Sequence, residues 1–431
     1  MRVLLTGATG LIGSAVLARL NAGGHQVVGV VRRIDSHARR LPAASLVVQD
    51  ISQAARPETW APHLVGIDAV VNCAGVFQDS PRDSTSGVHA VGAGALFAAC
   101  EQAGTRRVIH VSAIGAYRDA ATPFSQSKHL GEQALMRCDL DWVILRPSVV
   151  VGRPAYGGSA LFRGLAALPI MPVLEGTGPL QVVQLDDLVA TVAFLLSPDA
   201  PSRKVVTVAG PQPLTFADVI GAYRRWLGFA EARAVAIPRS LFSAIYRLGD
   251  AAGWLGWRPP IRSTVRREMA RGAAGDPAEW TRLTGIVPRS LDAALAAEPA
   301  SVQERWFALL YFLKPLVIGS YAFFWLATGS IALGPGYETA FALMQEAGAG
   351  AELAALSVIG GGLADIVIGT AMAFRRTSRK ALGAALAVTA LYMLVGTIIL
   401  PRLWLDPIGP MLKMLPVMVL NLVALAIVDE R

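Results

Sequence analysis

Charge is scarce in this chain, and so are cysteine and histidine. Of its 431 residues 16% are charged, against roughly 25% in an ordinary soluble protein. The three cysteines, Cys73, Cys100 and Cys138, are odd in number and lack Cys-x-x-Cys spacing. That excludes a disulfide framework and fits packing thiols in a reducing compartment. His25, His37, His63, His89, His110 and His129 show no metal-ligand spacing, so no metal site is expected. Neither a Gly-x-Ser-x-Gly elbow nor a Walker phosphate loop occurs, which sets aside two common hydrolase chemistries.

What is abundant is apolar. Hydrophobic residues make up 53% and mean hydropathy is +0.47. A disordered or collagen-like chain is excluded, and a purely soluble enzyme is disfavoured. The formal net charge is +8, of which +7 lies before Trp306 and +1 after it. A basic part suits nucleic acid or an anionic bilayer face. No basic-aromatic nucleic-acid module is present, so the bilayer is the better partner. Met1-Arg2-Val3-Leu4-Leu5 begins like a signal peptide, but Gly7, Gly10 and Gly13 interrupt any apolar core. A strand and a turn are the better reading, which keeps this domain in the cytoplasm.

The first thirty residues carry the most specific signal. Arg2–Leu5 is a short apolar run, and Thr6-Gly7-Ala8-Thr9-Gly10-Leu11-Ile12-Gly13 follows it. A helical stretch, Ser14–Asn21, stops at Gly23-Gly24, and Gln26–Val31 is a second β-branched run. Strand, glycine turn, helix and strand form the context of a dinucleotide fingerprint. Gly7 turns the chain tightly, Gly10 lets the backbone approach a pyrophosphate, and Gly13 lets helix and strand sit close. Unpaired N–H groups at the helix start, with Thr9, Leu11 and Ile12 around them, bind phosphate. The second strand ends in Arg32-Arg33, where an acidic residue would select NAD. A guanidinium pairs with a 2′-phosphate, which favours NADP over NAD; the alternative is a solvated basic turn.

Further apolar runs at Ser45–Val48, Ala69–Asn72, Arg107–Ser112, Trp142–Leu145 and Val205–Ala209 alternate with helical stretches. The expected fold class is α/β, a doubly wound parallel sheet. Its ligand crevice lies beyond the strand ends that carry Gly7, Arg32, Asp50, Cys73-Ala74-Gly75 and Ser112.

Residues 6–13, Asn72-Cys73-Ala74-Gly75, Val111-Ser112-Ala113, Ser127-Lys128 and Leu145-Arg146-Pro147 together resemble the extended and atypical short-chain dehydrogenase/reductases, whose nucleotide domain is a Rossmann fold. The likeness covers roughly residues 1–210, and its atypical branch includes an accessory subunit of respiratory complex I. The resemblance implies that Asp50 and Ile51 flank the adenine and that Cys73, Ala74 and Gly75 line the cofactor cleft. It also implies a Tyr-x-x-x-Lys pair with a serine. Lys128 fills the lysine position, but the tyrosine position is Phe124, which has no hydroxyl. Counting back four from Tyr117 lands on Ala113, with Ser112 one residue short. The position usually held by Asn is His89. Lys128 is therefore a good candidate for a ribose contact and a poor one for proton chemistry, with Ser112 and Tyr117 as further catalytic candidates and Tyr117 or His89 as substitute acids.

Asp186-Asp187 opens a helical stretch; the pair reads as a helix cap at either residue or as acid/base carboxylates. Between Pro238 and Arg271, apolar residues at helical spacing mix with arginines. That segment suits either a membrane-surface helix or a lid over the substrate cleft.

After Trp306 four stretches lose nearly all charge: Pro315–Leu333, Leu353–Phe374, Ala381–Leu400 and Ile408–Val428. About 20 apolar residues cross a bilayer core of about 30 Å, so the doubly wound sheet should be followed by an all-α four-helix transmembrane domain. Arg375–Lys380 places four positive charges in six residues between the second and third spans, and residues 332–352 place none between the first and second. By the positive-inside rule both termini face the cytoplasm, in a cell inner membrane. Arg402 in the last outer loop is a minor violation. Trp325 and Trp404 are expected at the membrane boundary. Asp365 in the second span is expected to pair with Lys413 or Lys314, and Gly360-Gly361-Gly362 to allow close helix approach beside it. Lys314-Pro315, Gly336-Tyr337-Glu338, Asp365, Leu400-Pro401 and residues 406–413 resemble DoxX-like membrane domains, some relatives of which are linked to quinone oxidoreductases.

The expected organisation is a nucleotide-binding domain at 1–210, a lid or membrane-surface subdomain at 211–303, and the membrane domain at 304–431. The expected function is an NAD(P)-dependent oxidoreductase acting on an apolar membrane-borne substrate, a lipid or quinone. The alternatives are an NADP(H)-binding structural or sensor module without turnover, and a nucleotide-gated transporter resting on Asp365 alone. The sequence fixes no oligomeric state.

Overall fold

The computed structural model describes residues 1–117, 120–174 and 176–429. They form two compact units, Met1–Ala251 with Pro259–Ala308, and Ala252–Arg258 with the chain from Leu309 onward.

The first unit begins with β1 (Arg2–Thr6), α1 (Leu11–Ala22), β2 (Gln26–Val31), β3 (Ser45–Val48), α2 (Pro57–Leu64), β4 (Ala69–Asn72), α3 (Ala93–Ala103), β5 (Arg107–Val111), α4 (Pro123–Met136) and β6 (Asp141–Pro147). It continues through β7 (Val149–Val151), α5 (Gly157–Ala166), β8 (Ile170–Val173), β9 (Val182–Gln184), α6 (Leu185–Leu195), β10 (Lys204–Val208), α7 (Phe216–Trp226) and β11 (Arg233–Ala236). Then come α8 (Arg239–Trp254), α9 (Ser263–Arg271), α10 (Ala278–Thr284), α11 (Leu291–Ala297) and α12 (Val302–Leu310). The division between the units falls inside α8 and α12.

Seven parallel strands form one sheet in the order β10-β6-β5-β4-β1-β2-β3. Side chains alternate across a strand, so each buried strand feeds two cores. In β1, Val3 and Leu5 join Val16, Leu17, Leu188, Val192 and Trp280 on one face. Leu4 joins Trp60, Leu96, Phe97 and Leu135 on the other. Helices therefore cover both faces, and the strand runs read as unbroken apolar stretches. The strand order reverses between β1 and β4, which places a crevice at their carboxyl ends. Thr6 pairs in register with Asn72, and Asn72 with His110, so polar residues of three neighbouring strands meet at that rim.

Asp186 and Asp187 were expected to cap a helix, but the cap position of α6 is Gln184. Both aspartates lie in its first turn, and Asp187 accepts from the Arg289 guanidinium at 3.3 Å. A carboxylate there still meets the positive helix end.

The second unit holds α13 (Leu313–Leu333), α14 (Tyr337–Glu346), α15 (Ala351–Ala373), α16 (Ser378–Ile399) and α17 (Pro410–Ile427). Among the described residues four helical stretches, Val302–Leu333, Ala351–Ala373, Ser378–Ile399 and Pro410–Ile427, are long and apolar enough to cross a membrane. Glycine sets the closest approach between α13 and α15. A Cβ on Gly329 would lie 2.5 Å from the Gly362 carbonyl, and one on Gly369 would lie 2.8 Å from the Leu326 nitrogen. Of the glycine triplet, Gly362 makes such a contact, whereas Gly360 faces open space.

Two membrane-domain expectations are corrected. Trp325 is not a boundary anchor: it is 2% exposed and packs with Ile318, Tyr321, Ile368 and Met372. Asp365 takes its hydrogen bonds from hydroxyls rather than from a lysine, Thr328 Oγ1 and Tyr392 OH each donating at 3.2 Å. Arg402 pairs with Glu346 at 2.5 Å, so its charge is balanced locally.

Candidate functional site

The crevice is built first by glycine. Gly7 has φ +67°, and a Cβ there would fall 2.7 Å from the Cys73 carbonyl. A Cβ on Gly13 would fall 2.2 Å from the Gly7 carbonyl oxygen. The Gly10 amide donates to that same oxygen at 2.9 Å, so the turn closes on itself. Thr9 and Gly10 precede α1, and Leu11 and Ile12 open it. No side chain caps α1, which leaves its first-turn N–H groups to a ligand. A bare helix end beside a backbone too crowded for a Cβ fits a dinucleotide pyrophosphate.

The crevice floor is tied by a network the sequence reading missed. Asn72 Oδ1 accepts from Thr6 Oγ1 at 2.5 Å and from the Ala74 amide at 3.2 Å. Its amide nitrogen lies 3.1 Å from His110 Nδ1. The available signal was a polar residue closing an apolar run at Thr6, Asn72 and His110 alike.

Just past the carboxyl end of β2, Arg32 forms an ion pair with Asp83 at 2.5 Å. Asp50 accepts from the amide and hydroxyl of Ser52 at 3.0 and 2.8 Å, capping a short helical turn. Ile51 is buried under Gly92.

At the opposite end, Lys128 on α4 is 4% exposed, and its Nζ donates to the Val111 carbonyl at 2.9 Å. Burial pushes its ammonium down to about 8. A Cβ on Gly75 would sit 3.7 Å from Lys128 Nζ and 3.6 Å from His89 Nε2, so these three residues meet. Ser112, one residue beyond Val111, has a buried hydroxyl oxygen with no partner among the described residues. An orphaned hydroxyl at this rim is suited to a ligand oxygen.

His89 is unavailable as a substitute acid. It sits in a π-helical turn, Gly87–Gly92. Its Nε2 accepts from the Val76 amide at 2.9 Å, so the proton resides on Nδ1, which bonds Ser127 Oγ at 2.9 Å. Ser127 Oγ in turn donates to the Phe124 carbonyl at 3.0 Å. Both ring nitrogens are thus occupied. Burial, with the Lys128 charge beside it, holds the imidazole well below its ordinary value. Tyr117 stands apart, 56% exposed beneath the Arg146 guanidinium. Phe124 packs against Phe77, with ring centres 4.7 Å apart, and presents no proton.

Helix α9 grips the loops around this end. Glu268 accepts from Thr122 Oγ1 and, at 2.9 Å, from Ser125 Oγ. Arg271 donates to the Ile114 carbonyl at 3.0 Å and pairs with Glu268 at 2.5 Å. Arg262 donates to the Asp79 carbonyl at 3.1 Å. Apart from the Arg271–Glu268 pair, these partners are far apart in sequence, and no local pattern announced Glu268.

Comparison with known proteins agrees with both halves. Residues 7–164 match the NAD(P)H-binding family, and residues 322–422 match the DoxX-like family. An uncharacterised protein of Mycobacterium tuberculosis is 30% identical over 228 residues, 52% of this chain and 23% of that protein. The chain thus spans about a quarter of the length of that protein. Ceramide reductase of Caulobacter vibrioides is 28% identical over 46% of this chain and 61% of that protein. Sterol demethylase protein B of Methylococcus capsulatus is 26% identical over 71% of this chain and 99% of that protein. Among solved structures, the Bordetella bronchiseptica enzyme WbmG in complex with NAD shares the fold. Its TM-score is 0.53 at 18% identity, covering 69% of this chain and 93% of that one.

Proposed function

We propose that this chain, in which an NAD(P)-binding Rossmann domain precedes a DoxX-like domain, is a membrane-anchored oxidoreductase that uses NADP on an apolar, membrane-borne substrate, a lipid or a quinone. The observation that carries the reading is the buried Lys128 ammonium on the Val111 carbonyl, beside the orphaned Ser112 hydroxyl. A nicotinamide dinucleotide in the crevice would supply or accept a hydride. The chain's part is the proton: Ser112 Oγ orients the substrate oxygen, and Lys128 Nζ, with its lowered proton affinity, gives or takes the proton there. Phe77 and Phe124 make the approach apolar. The names of two relatives, ceramide reductase and sterol demethylase protein B, support a lipid substrate. Helix α9 serves as the lid over this end of the cleft.

Phe124 favours a second reading, a module that binds NADP(H) as structure or sensor without turnover. The two separate on purified full chain with NADPH and extracted membrane lipids or quinones. Substrate-dependent NADPH oxidation is expected. Tightly bound nucleotide with no oxidation, unrestored by Phe124→Tyr, establishes the second reading instead.

Cofactor choice rests on Arg32. Asp83 holds its guanidinium in place, and a 2′-phosphate would compete for it. Arg32→Ala is expected to weaken NADPH binding about tenfold and NADH binding little, since a charge-assisted hydrogen bond contributes about 1.5–3 kcal/mol. Equal loss for both, by titration, removes the NADP preference. The four positive charges of residues 375–380 support a cytoplasmic position for that loop and for the Rossmann domain, in a cell inner membrane. A reporter fused at the carboxyl end should read cytoplasmic; a periplasmic signal reverses the topology.

A further inference from the structure

A second cavity lies in the first unit, lined by none of the dinucleotide-crevice residues. It lies between α5, α7, α8 and α9, with Leu161, Leu165, Phe216, Phe242, Val265 and Met269 among its walls. No lining side chain carries a charge, and Tyr246 brings the one hydroxyl. Ligand cavities normally include a few placed polar groups that orient the ligand. A wall this uniformly apolar can bind by burial alone.

We infer that this cavity holds the hydrocarbon chain of an amphiphile. Three observations support that occupant. A polar or sugar-like ligand would lose its water and find almost no hydrogen-bond partner. The four bilayer-length helices of the same chain bring it to a reservoir of such chains. Helix α9 also joins the cavity to the reaction cleft. Val265 and Met269, four apart, share one face and line the cavity, whereas Glu268 and Arg271, three apart, share another and grip residues 114–125. A chain lodged in the cavity thus shares one helix with the start of α4, which carries Phe124. The inference deepens the proposed function, on which its choice of a lipid rests, but it is read by binding rather than by turnover.

The test uses the full chain in lipid nanodiscs doped with a palmitoyl amide carrying a diazirine near its methyl end. After illumination, cross-links are expected on peptides containing Leu161, Phe216, Phe242 or Met269, displaced by unlabelled amide. In a chain-length series, displacement should strengthen about fourfold per methylene until the cavity is full. Val265→Phe, which fills the cavity, should cut this labelling about tenfold and move the optimum to shorter chains. Phe242→Ala, which enlarges it, should move the optimum to longer ones and serves if the first variant misfolds. Cross-links confined to the helices after Leu313, or a flat chain-length series, overturn the inference. Labelled cavity without NADPH turnover leaves it standing and refutes only the oxidoreductase reading.

Discussion

Lys128→Met is expected to abolish turnover while making the nucleotide-binding unit more heat-stable at neutral pH. The first effect follows from chemistry. With Phe124 in the tyrosine position and both nitrogens of His89 bonded, the proposed reaction assigns its proton to Lys128 Nζ. Removing a positioned acid typically costs about 10²–10⁴ in rate. The second effect follows from burial. An ordinary lysine titrates near about 10.4, whereas Lys128 is pushed down to about 8. A lowered value in the folded state means that the unfolded chain binds more protons between about pH 8 and 10.4. Stability therefore rises with pH across that window, and the buried ammonium carries its full penalty below it. That penalty is on the order of 3 kcal/mol, offset in Lys128→Met by about 1 kcal/mol from the lost bond to Val111. The thermal midpoint should rise by a few degrees at pH 7 and lose that advantage above about pH 10. In wild-type protein, carbonyl reduction should slow as pH rises through about 8, because the donor loses its proton. A stable, fully active Lys128→Met protein contradicts the assignment.

Gly13→Ala is expected to weaken dinucleotide binding by about 100-fold with one methyl group. That methyl would sit 2.2 Å from the Gly7 carbonyl oxygen, so α1 must lift from the turn and carry its first N–H groups off the phosphates. A hundredfold loss is about 2.7 kcal/mol, within the range that crowding a close-packed contact produces. Gly24 is the control. It has positive φ, +79°, and nothing lies within 4 Å of an added Cβ. Gly24→Ala should cost about 1 kcal/mol of stability and leave affinity unchanged. Isothermal titration of both variants with NADPH separates a lost phosphate site from a general loss of fold.

The sheet was legible because its strands are buried on both faces and read as unbroken apolar runs, from Val3–Leu5 to Val143–Leu145. The phosphate turn was legible because each glycine answers a local backbone demand. The rest depended on partners distant in sequence. Glu268 lies 146 residues from Thr122, and nothing local marks it as a contact of the α4 start. His89 looked like a spare acid because the Val76 amide that occupies its Nε2 is backbone, which composition does not reveal. In the membrane domain, the apolar runs gave the helices but not their rotation. Trp325 faces inward, and Asp365 meets Thr328 and Tyr392, because helix packing through Gly329, Gly362 and Gly369 sets which side chains face each other.

The central claim is that one polypeptide holds a dinucleotide on its glycine turn while its last four helical stretches lie in lipid. It is tested most directly by titrating NADPH into the full chain reconstituted in lipid nanodiscs. Saturable binding of one NADPH per chain, tighter than NADH, is the result this account predicts. A reconstituted, folded chain that binds neither nucleotide, or a chain that leaves the bilayer in plain buffer, would contradict it.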